Sequence, residues 1–192
     1  MKSNRPPIKA NENAVSGLPD ILEPGLSVVF CGINPGMRSA VVGQHFANRT
    51  NRFWRVLHRA GFTPDEILPQ HSARLLSYGC GLTSAVERPT VSASHLKRSD
   101  FLSARQSLEQ KVLRYAPGHF AFLGKPAYAA MFNQRTLSWG RQPTPIGQTT
   151  VWVLPNPSGL NRDSRWKPWC SNIESSSKPC GHSQARNPPS QR

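Results

Sequence analysis

The sequence predicts an α/β sandwich built on a mostly parallel sheet, from three observations. Short apolar runs at residues 27–33, 119–124 and 149–155 are bounded by Gly or Pro, as buried strands are. Segments whose apolar residues recur with helical spacing separate these runs, and such alternation is typical of parallel sheets. At 192 residues the chain suits one domain with ragged ends.

The first strand is followed by a long loop and then by residues 51–61, whose apolar side chains fall on one helical face. Asn51 suits the N-cap of this helix, and Gly61 suits its end. Residues 64–79 predict a further, shorter helical segment. Residues 81–90 are ambiguous and predict a strand that runs into a loop.

The clearest helix covers residues 99–117, where apolar side chains again recur with helical spacing. Ser99 or Asp100 can cap its start, and Pro117 closes it. Residues 125–134 predict the last helix, which directly follows the second strand.

Composition divides the chain into three parts. Residues 1–17 are polar with two prolines, which predicts a disordered basic arm. Residues 18–162 hold the predicted elements and form the expected domain. Residues 163–192 show no period and are rich in Ser and Pro, which predicts a disordered tail, although Trp166 and Trp169 are unusual in a solvated segment.

The net charge of +14 lies mainly on the expected domain. Residues 163–192 account for +3 and residues 1–17 for +2, so +9 remains on residues 18–162. A body with this excess attracts polyanions, nucleic acid first among them. Solubility alone would also explain the excess.

Cysteine usage and apolar content exclude several classes of protein. The four cysteines form no C-x-x-C pair, and Cys180 with His182 has no second pair to complete a zinc site, so no metal is expected. Cys31 lies in an apolar run, where a thiol behaves as a small hydrophobe, and a reducing compartment fits. We find no signal-peptide core near the N-terminus and no apolar run approaching the roughly 20 residues of a membrane-spanning helix. We therefore expect a cytoplasmic protein without membrane contact.

Asn-Pro follows two of the predicted strands, in "GINPG" after the first and in "PNPSGL" after the third. Ligands bind outside the carboxyl ends of strands in open parallel sheets, so Asn34 and Asn156 would share one pocket if their strands are parallel neighbours. An Asn amide offers an acceptor oxygen and two donor hydrogens, Pro keeps the preceding residue extended, and Gly admits close approach of a ligand. The pattern indicates a site for a planar polar ligand such as a nucleobase, although both dipeptides also mark ordinary turns.

Side chains suited to DNA flank both motifs. Phe46, in the first loop, suits either an aromatic face for an extruded base or a place in the core. Leu160, in the second loop, suits either a wedge between bases or a cap folded back on the core. Cations that phosphates require follow in both loops, at Arg38, Arg49, Arg52 and Arg162.

Other chemistries lack their motifs in this sequence. It has no G-x-x-x-x-G-K-[ST] loop and no G-x-G-x-x-G, which leaves phosphate-cradle nucleotide binding unsupported. Neither Asn-Pro motif contains a carboxylate. Lys125, the nearby amine, has no context that indicates a Schiff base, and no cofactor is expected.

The chain carries four spaced motifs in order: "ILEPGLSVVFCGINPG", "ANRTNRFWRVLHRAGFT", "FLGKPAY" and "VWVLPNPSGLNR". Together they resemble the mismatch-specific uracil/thymine-DNA glycosylase family, within the uracil-DNA glycosylase superfamily, and look closest to the bacterial G/U mismatch-specific enzymes. The resemblance runs from Leu18 to Arg162. It implies a three-layer α/β/α sandwich. The sequence does not settle the oligomeric state, but a monomer is the simplest expectation for a protein that scans DNA for lesions, and we expect it in the bacterial cytoplasm, associated with the nucleoid.

The resemblance also implies the reaction. Such an enzyme hydrolyses the N-glycosidic bond of uracil opposite guanine in double-stranded DNA, with thymine and ethenocytosine as further substrates, for base-excision repair. Without an amine nucleophile it would be monofunctional and would leave an abasic site. Its partners would be duplexes with G·U or G·T mismatches, whose weak pairing favours extrusion of the base.

Each site residue takes a role from the same resemblance. Asn34 resembles the catalytic Asn that positions the attacking water, and Phe46 resembles the aromatic residue that stacks on the flipped base. Asn156 resembles the pocket residue opposite, where related uracil glycosylases often have His. The remaining pocket residues are Ile33, Pro35, Gly36 and Ser39, and the wedge and backbone contacts are Ser158, Gly159, Leu160, Asn161 and Arg162. A neutral Asn34 lacks the about 10²–10⁴-fold contribution of a positioned general base, so slow turnover is expected.

The tail departs from the family pattern. In the family, "NPSGL-x-R" leads into an amphipathic helix that packs on the sheet, whereas residues 163–179 have no helical period. Loss of that helix would weaken the fold, so an alternative is a protein that binds mismatched or abasic DNA without turnover. An enzyme that takes free nucleosides is a third hypothesis, against which the wedge Leu160 and Arg162 argue.

Overall fold

A five-stranded sheet forms the centre of the molecule in the computed structural model, which describes residues 16–158. The strands are β1 Val28–Gly32, β2 Cys80–Ser84, β3 His119–Leu123, β4 Gly140–Arg141 and β5 Thr150–Leu154. They lie in the order β2-β1-β3-β5-β4, and every pair is parallel except β4 with β5. The carboxyl ends of the four parallel strands therefore meet at one edge of the sheet.

Helices cover both faces of this sheet. The α-helices of the described part are α1 Met37–Val42, α2 Phe53–Arg59, α3 Arg98–Tyr115 and α4 Lys125–Met131, and 3₁₀ segments lie at Pro69–Tyr78 and Ala93–His95. Alternate strand residues point to opposite faces. Phe30 and Leu82 accordingly pack with α2 in one core, whereas Val29 and Phe122 pack with α3 and α4 in the other. The predicted three-layer α/β/α sandwich with a mostly parallel sheet is confirmed.

Burial on both faces explains why β1, β3 and β5 read as continuous apolar runs. β2 was ambiguous in the sequence because "CGLTS" contains residues with weak strand preference. Its pairing with β1 fixes it, and Gly81 is required there because a Cβ would lie 2.7 Å from the Ile21 carbonyl oxygen. The edge strand β4, only two residues long, gave no signal.

Several predicted boundaries differ from the structure. The loop predicted after β1 contains the short helix α1, and residues 69–78 form a 3₁₀ segment with non-helical backbone at His71 rather than an α-helix. α3 starts at Arg98, and Asp100 supports its start by accepting a hydrogen bond from the Lys97 amide at 2.7 Å. Residues 1–15 and 159–192, which include most of the predicted arm and all of the predicted tail, lie outside the described part.

Candidate active site

A cleft of about 710 Å³ opens at the carboxyl ends of β1, β3 and β5. Every sequence-predicted site residue within the described part lines it: Ile33, Asn34, Pro35, Gly36, Ser39, Phe46, Asn156 and Ser158. Gly159, Leu160, Asn161 and Arg162 lie outside the described residues, so their predicted wedge role stays a prediction.

Asn34 and Asn156 reach this cleft from strands that are not neighbours, because β3 lies between β1 and β5. The condition that the two strands be neighbours is therefore not met, but the two residues still border one cleft across the end of β3. Gly124, directly after β3, lies beside Asn156 and Ile33. A Cβ on Gly124 would lie 3.4 Å from the Asn156 Cβ and 3.5 Å from the Ile33 Cδ1, and its φ of +106° favours glycine.

The Asn34 amide is held through its nitrogen. Nδ2 donates to the Thr90 Oγ1 at 2.7 Å and to the Arg88 carbonyl at 3.0 Å, with the Pro35 carbonyl a third acceptor at 3.2 Å. The Thr90 hydroxyl donates its own hydrogen to the Ser92 carbonyl at 2.9 Å, so it can only accept from Asn34. All these partners are acceptors, which fixes the orientation of the amide.

The backbone of Thr90 is hydrogen-bonded to the loop that carries Asn34. Its backbone nitrogen donates to the Pro35 carbonyl at 3.1 Å, its carbonyl accepts from the Met37 amide at 3.1 Å, and it is 2% exposed. The Asn34 Oδ1 accepts no hydrogen bond from any residue between 16 and 158. The N–H donors of the Asn34 amide are therefore bound by protein acceptors, whereas Oδ1 can accept a hydrogen bond from a molecule in the cleft.

Phe46 lies in a strained loop beside Asn34. Its φ of +52° is unusual for a residue other than glycine. The ring stacks on Phe53 of α2, with ring centres 4.1 Å apart and planes 16° from parallel. Because Phe53 covers one side of a ring that also borders the cleft, Phe46 belongs both to the core and to the site.

Polar contacts below Phe46 hold this loop in place. The Ser39 Oγ accepts from the Ala47 amide at 3.1 Å, and the Arg38 Nε donates to the Ala47 carbonyl at 3.3 Å. Burial lowers the pKa of His45, so its ring is neutral, and its Nε2 donates to the Pro19 carbonyl at 2.8 Å. Ser39 and Arg38 therefore support the aromatic residue.

The segment that carries Asn156 is anchored on the start of α2. The Asn156 Oδ1 accepts from the Ser158 amide at 2.9 Å, which folds the chain into a tight turn. Arg52 donates its backbone N–H to the Pro157 carbonyl at 2.9 Å and its Nη2 to the Ser158 carbonyl at 3.4 Å. These contacts fix where the chain leaves the cleft toward the predicted wedge.

The cleft is almost without charge. No Asp or Glu borders it within the described residues, and Lys125 is its one Lys or Arg. Residues 16–158 contain no group of three or more His, Cys, Asp or Glu side chains that could hold a metal ion. They also contain no helix long and apolar enough to cross a membrane. Apart from Lys125, the described lining therefore offers a bound molecule mainly neutral amides, hydroxyls and aromatic rings.

Thr90, Ser92 and Trp139 also border the cleft and were not predicted as site residues. Thr90 lies six residues after β2, so recognition of that strand would have pointed to it by the strand-end rule. Trp139 directly precedes the edge strand β4, which carried no sequence signal.

Comparison with known proteins agrees with this fold and identifies the family of the chain. The family described as the uracil DNA glycosylase superfamily matches residues 19–172. The solution NMR structure of a Methanosarcina acetivorans protein, provisionally assigned as a uracil DNA glycosylase, superposes with a TM-score of 0.58 at 19% identity. That match covers 83% of this chain and 96% of the archaeal one, and at this identity it shows the shared fold. The chain belongs to the uracil DNA glycosylase superfamily of DNA glycosylases.

Proposed function

We propose that the protein is a monofunctional, mismatch-specific DNA glycosylase that removes uracil opposite guanine from double-stranded DNA. Thymine and ethenocytosine opposite guanine are the further substrates we propose. The observation that carries the proposal is the Asn34 amide, whose nitrogen is fixed by Thr90 and Arg88 while its oxygen accepts no hydrogen bond from residues 16–158. That is the arrangement needed to hold a water molecule by one of its hydrogens.

The reaction follows from this geometry. An extruded uracil stacks on Phe46, and Asn34 Oδ1 accepts a hydrogen bond from water, which directs a water lone pair at the sugar C1′. The C1′–N1 bond breaks with its electron pair going to the base, the water oxygen bonds to C1′, and the second proton of the water passes to solvent. The base leaves as an N1 anion and takes up a proton from solvent, so the products are the free base and an abasic site in an intact strand.

Leaving-group stabilisation has to supply much of the rate, because the described cleft has no carboxylate to act as general base. A positioned base typically contributes about 10²–10⁴-fold, so we expect slow turnover. Amide donors around the cleft, Asn156 among them, are suited to stabilise the negative charge that develops on the departing base.

Mismatch specificity is supported by the weak pairing of G·U, which lowers the cost of extruding the base by comparison with a normal pair. The charge of +9 on residues 18–162 suits a duplex. Residues 159–162, which the motif resemblance makes the wedge, continue the segment that Arg52 anchors on α2. We propose that the protein acts as a monomer in the bacterial cytoplasm.

The test is excision from matched duplexes. Full-length protein in excess is incubated with duplexes carrying G·U, A·U, G·T or G·ethenocytosine, and alkali then converts abasic sites to strand breaks. We expect breaks with G·U, few with A·U, and no breaks before alkali. Absence of cleavage on G·U at enzyme excess rejects the enzyme, and retained binding to the duplex would then favour the alternative of a non-catalytic binding protein.

Asn34→Ala tests the assignment of the water-positioning residue. We expect excision to fall by at least about 100-fold, consistent with the loss of an oriented nucleophile, while affinity for a G·U duplex is retained. Asn133→Ala is the matched control, since Asn133 lies outside the cleft and bonds only to Arg98 among the described contacts. Persistent excision by Asn34→Ala contradicts the assignment.

A further inference from the structure

Lys125 and Trp139 form a pair on the rim of the cleft that the proposed reaction leaves without a role. Lys125 is the first residue of α4, directly after β3, and Trp139 directly precedes β4. The Lys125 Nζ lies 4.7 Å above the centre of the Trp139 ring and donates a hydrogen bond to the Leu137 carbonyl. Both side chains border the cleft, and Trp139 is 41% exposed.

The charge of Lys125 is fixed in place but not neutralised. Lys125 makes no ion pair within residues 16–158, whereas Lys111 is paired with Asp20 at 2.6 Å. The ring face and one carbonyl occupy part of the ammonium group, so an N–H donor remains for an anion. A cation held this way requires little further ordering when an anion binds.

The opposite rim carries a different surface. Val91, on the side of β2, is 68% exposed and also borders the cleft. It offers neither a charge nor an aromatic face. Among the described residues that border the cleft, Lys125 and Trp139 are the one pair of a cation and an aromatic ring, and they lie on the side away from Val91.

We propose that Lys125 and Trp139 form the subsite for the nucleotide adjacent to the extruded one, with its phosphate on Lys125 and its sugar or base against the exposed part of Trp139. The inference rests on the proposed DNA glycosylase function and specifies where the strand leaves the cleft. Phosphate contacts hold register on DNA, and aromatic side chains accept any base by stacking, so the subsite binds without regard to sequence.

The experiment measures binding to a duplex with a tetrahydrofuran abasic analogue opposite guanine, which contains no bond to hydrolyse. Dissociation constants are measured over a range of salt concentrations for Lys125→Gln, Trp139→Ala and Trp139→Phe. Arg114→Gln is the matched control, because Arg114 also lies over an aromatic ring, that of Tyr115 at 5.5 Å, but outside the cleft. Leu102→Ala, on α3, controls for loss of an exposed apolar side chain.

We expect Lys125→Gln to reduce the slope of log K against log salt by about 1, the value for one lost phosphate contact. Trp139→Ala weakens binding by about five- to tenfold, Trp139→Phe retains most of the affinity, and both controls bind like the wild type. The Lys125→Gln and Trp139→Ala effects are not additive, because the two side chains form one site. A single neutral methylphosphonate next to the lesion, at one position, abolishes the difference between wild type and Lys125→Gln.

Three outcomes overturn the inference: equal slopes for Lys125→Gln and wild type, equal losses for Lys125→Gln and Arg114→Gln, or no methylphosphonate position that removes the difference. Failure here is distinguishable from failure of the proposed function. If wild-type protein excises uracil and the variants bind normally, only the subsite is wrong. If wild-type protein excises nothing but the variants lose affinity as expected, the subsite stands and the proposed activity is wrong.

Discussion

Thr90→Val is the sharpest perturbation of the candidate site, because it removes one hydroxyl from a buried position and keeps the shape of the side chain. The hydroxyl accepts from the Asn34 Nδ2 at 2.7 Å and donates to the Ser92 carbonyl at 2.9 Å. It is the shortest of the three contacts made by that nitrogen. Without it, the Asn34 amide keeps the Arg88 and Pro35 carbonyls but loses the side-chain contact that fixes its plane.

The expected magnitude follows from the cost of one buried hydrogen bond. A buried polar group that loses its partner costs about 1–3 kcal/mol. If about half of that, about 0.5–1.5 kcal/mol, appears in the transition state as misorientation of the Asn34 oxygen, excision slows by about two- to tenfold, since about 1.4 kcal/mol corresponds to a factor of ten. The remainder appears as lost stability, through the Ser92 carbonyl that no longer receives a hydrogen bond from Thr90.

The assay is single-turnover excision of uracil from a G·U duplex, with Thr90→Ser beside Thr90→Val. Ser restores the hydroxyl and lacks only the methyl group, so we expect Thr90→Ser to excise at close to the wild-type rate. Binding to the tetrahydrofuran duplex reports on DNA contacts alone and should be unchanged in both variants. A wild-type rate for Thr90→Val, or an equal loss in Thr90→Ser, would refute the role of the hydroxyl in orienting Asn34.

Three further predictions concern Gly124, two buried histidines and Cys31. Gly124→Ala forces a Cβ at φ +106° against Asn156, so we expect a lower melting temperature and weaker binding to the tetrahydrofuran duplex. Burial lowers the pKa of both His45 and His119 below 6.5, so the unfolded chain takes up protons before the folded protein does. The free energy of unfolding should therefore fall as the pH drops through about 6.5. Denaturant titrations from pH 8 to 5 should show this fall, and the change of stability with pH should be smaller in His45→Gln. Burial raises the pKa of the Cys31 thiol, so peptide mapping after iodoacetamide treatment should find it labelled only in denaturant.

The sequence predicted the strands that are buried on both faces. In β1 and β5 nearly every residue is buried, so each strand appears in the sequence as a continuous apolar run that is easily recognised. β2 could not be assigned clearly from the sequence, because its Gly and Thr residues are explained only by contacts with other parts of the fold. Gly81 is needed to avoid the Ile21 carbonyl, and Thr83 donates to the Asp20 carboxylate at 2.6 Å. Such requirements come from tertiary contacts, which a single sequence does not display.

In the site, too, the sequence shows the residues that have a local signal and not those that depend on tertiary contacts. Asn34 and Asn156 could be identified because Asn-Pro after an apolar run is a local signal. Thr90 could not, because its importance depends on a hydrogen bond across 56 residues of chain and on the sheet order that puts β2 beside β1. From the sequence, Phe46 could be either a core residue or a residue of the site. The structure shows that it is both, because its ring stacks on Phe53 in the core and also borders the cleft.

The two amides of the cleft are held from opposite flanks of the sheet. Asn34 depends on the segment after β2, through Arg88 and Thr90, whereas Asn156 depends on the turn to Ser158. Within the described part of the chain, the contacts that hold Asn34 come from Pro35, Arg88 and Thr90, and these contacts do not draw on residues 163–192, where the sequence departs from the family pattern. We therefore expect any loss of function caused by that tail to act first on the Asn156 side, where the chain runs on toward the predicted wedge, and not on the orientation of the Asn34 amide, which we propose positions the water. Since a neutral amide has only its orientation to offer, excision should respond to small displacements at either flank before the fold itself is lost.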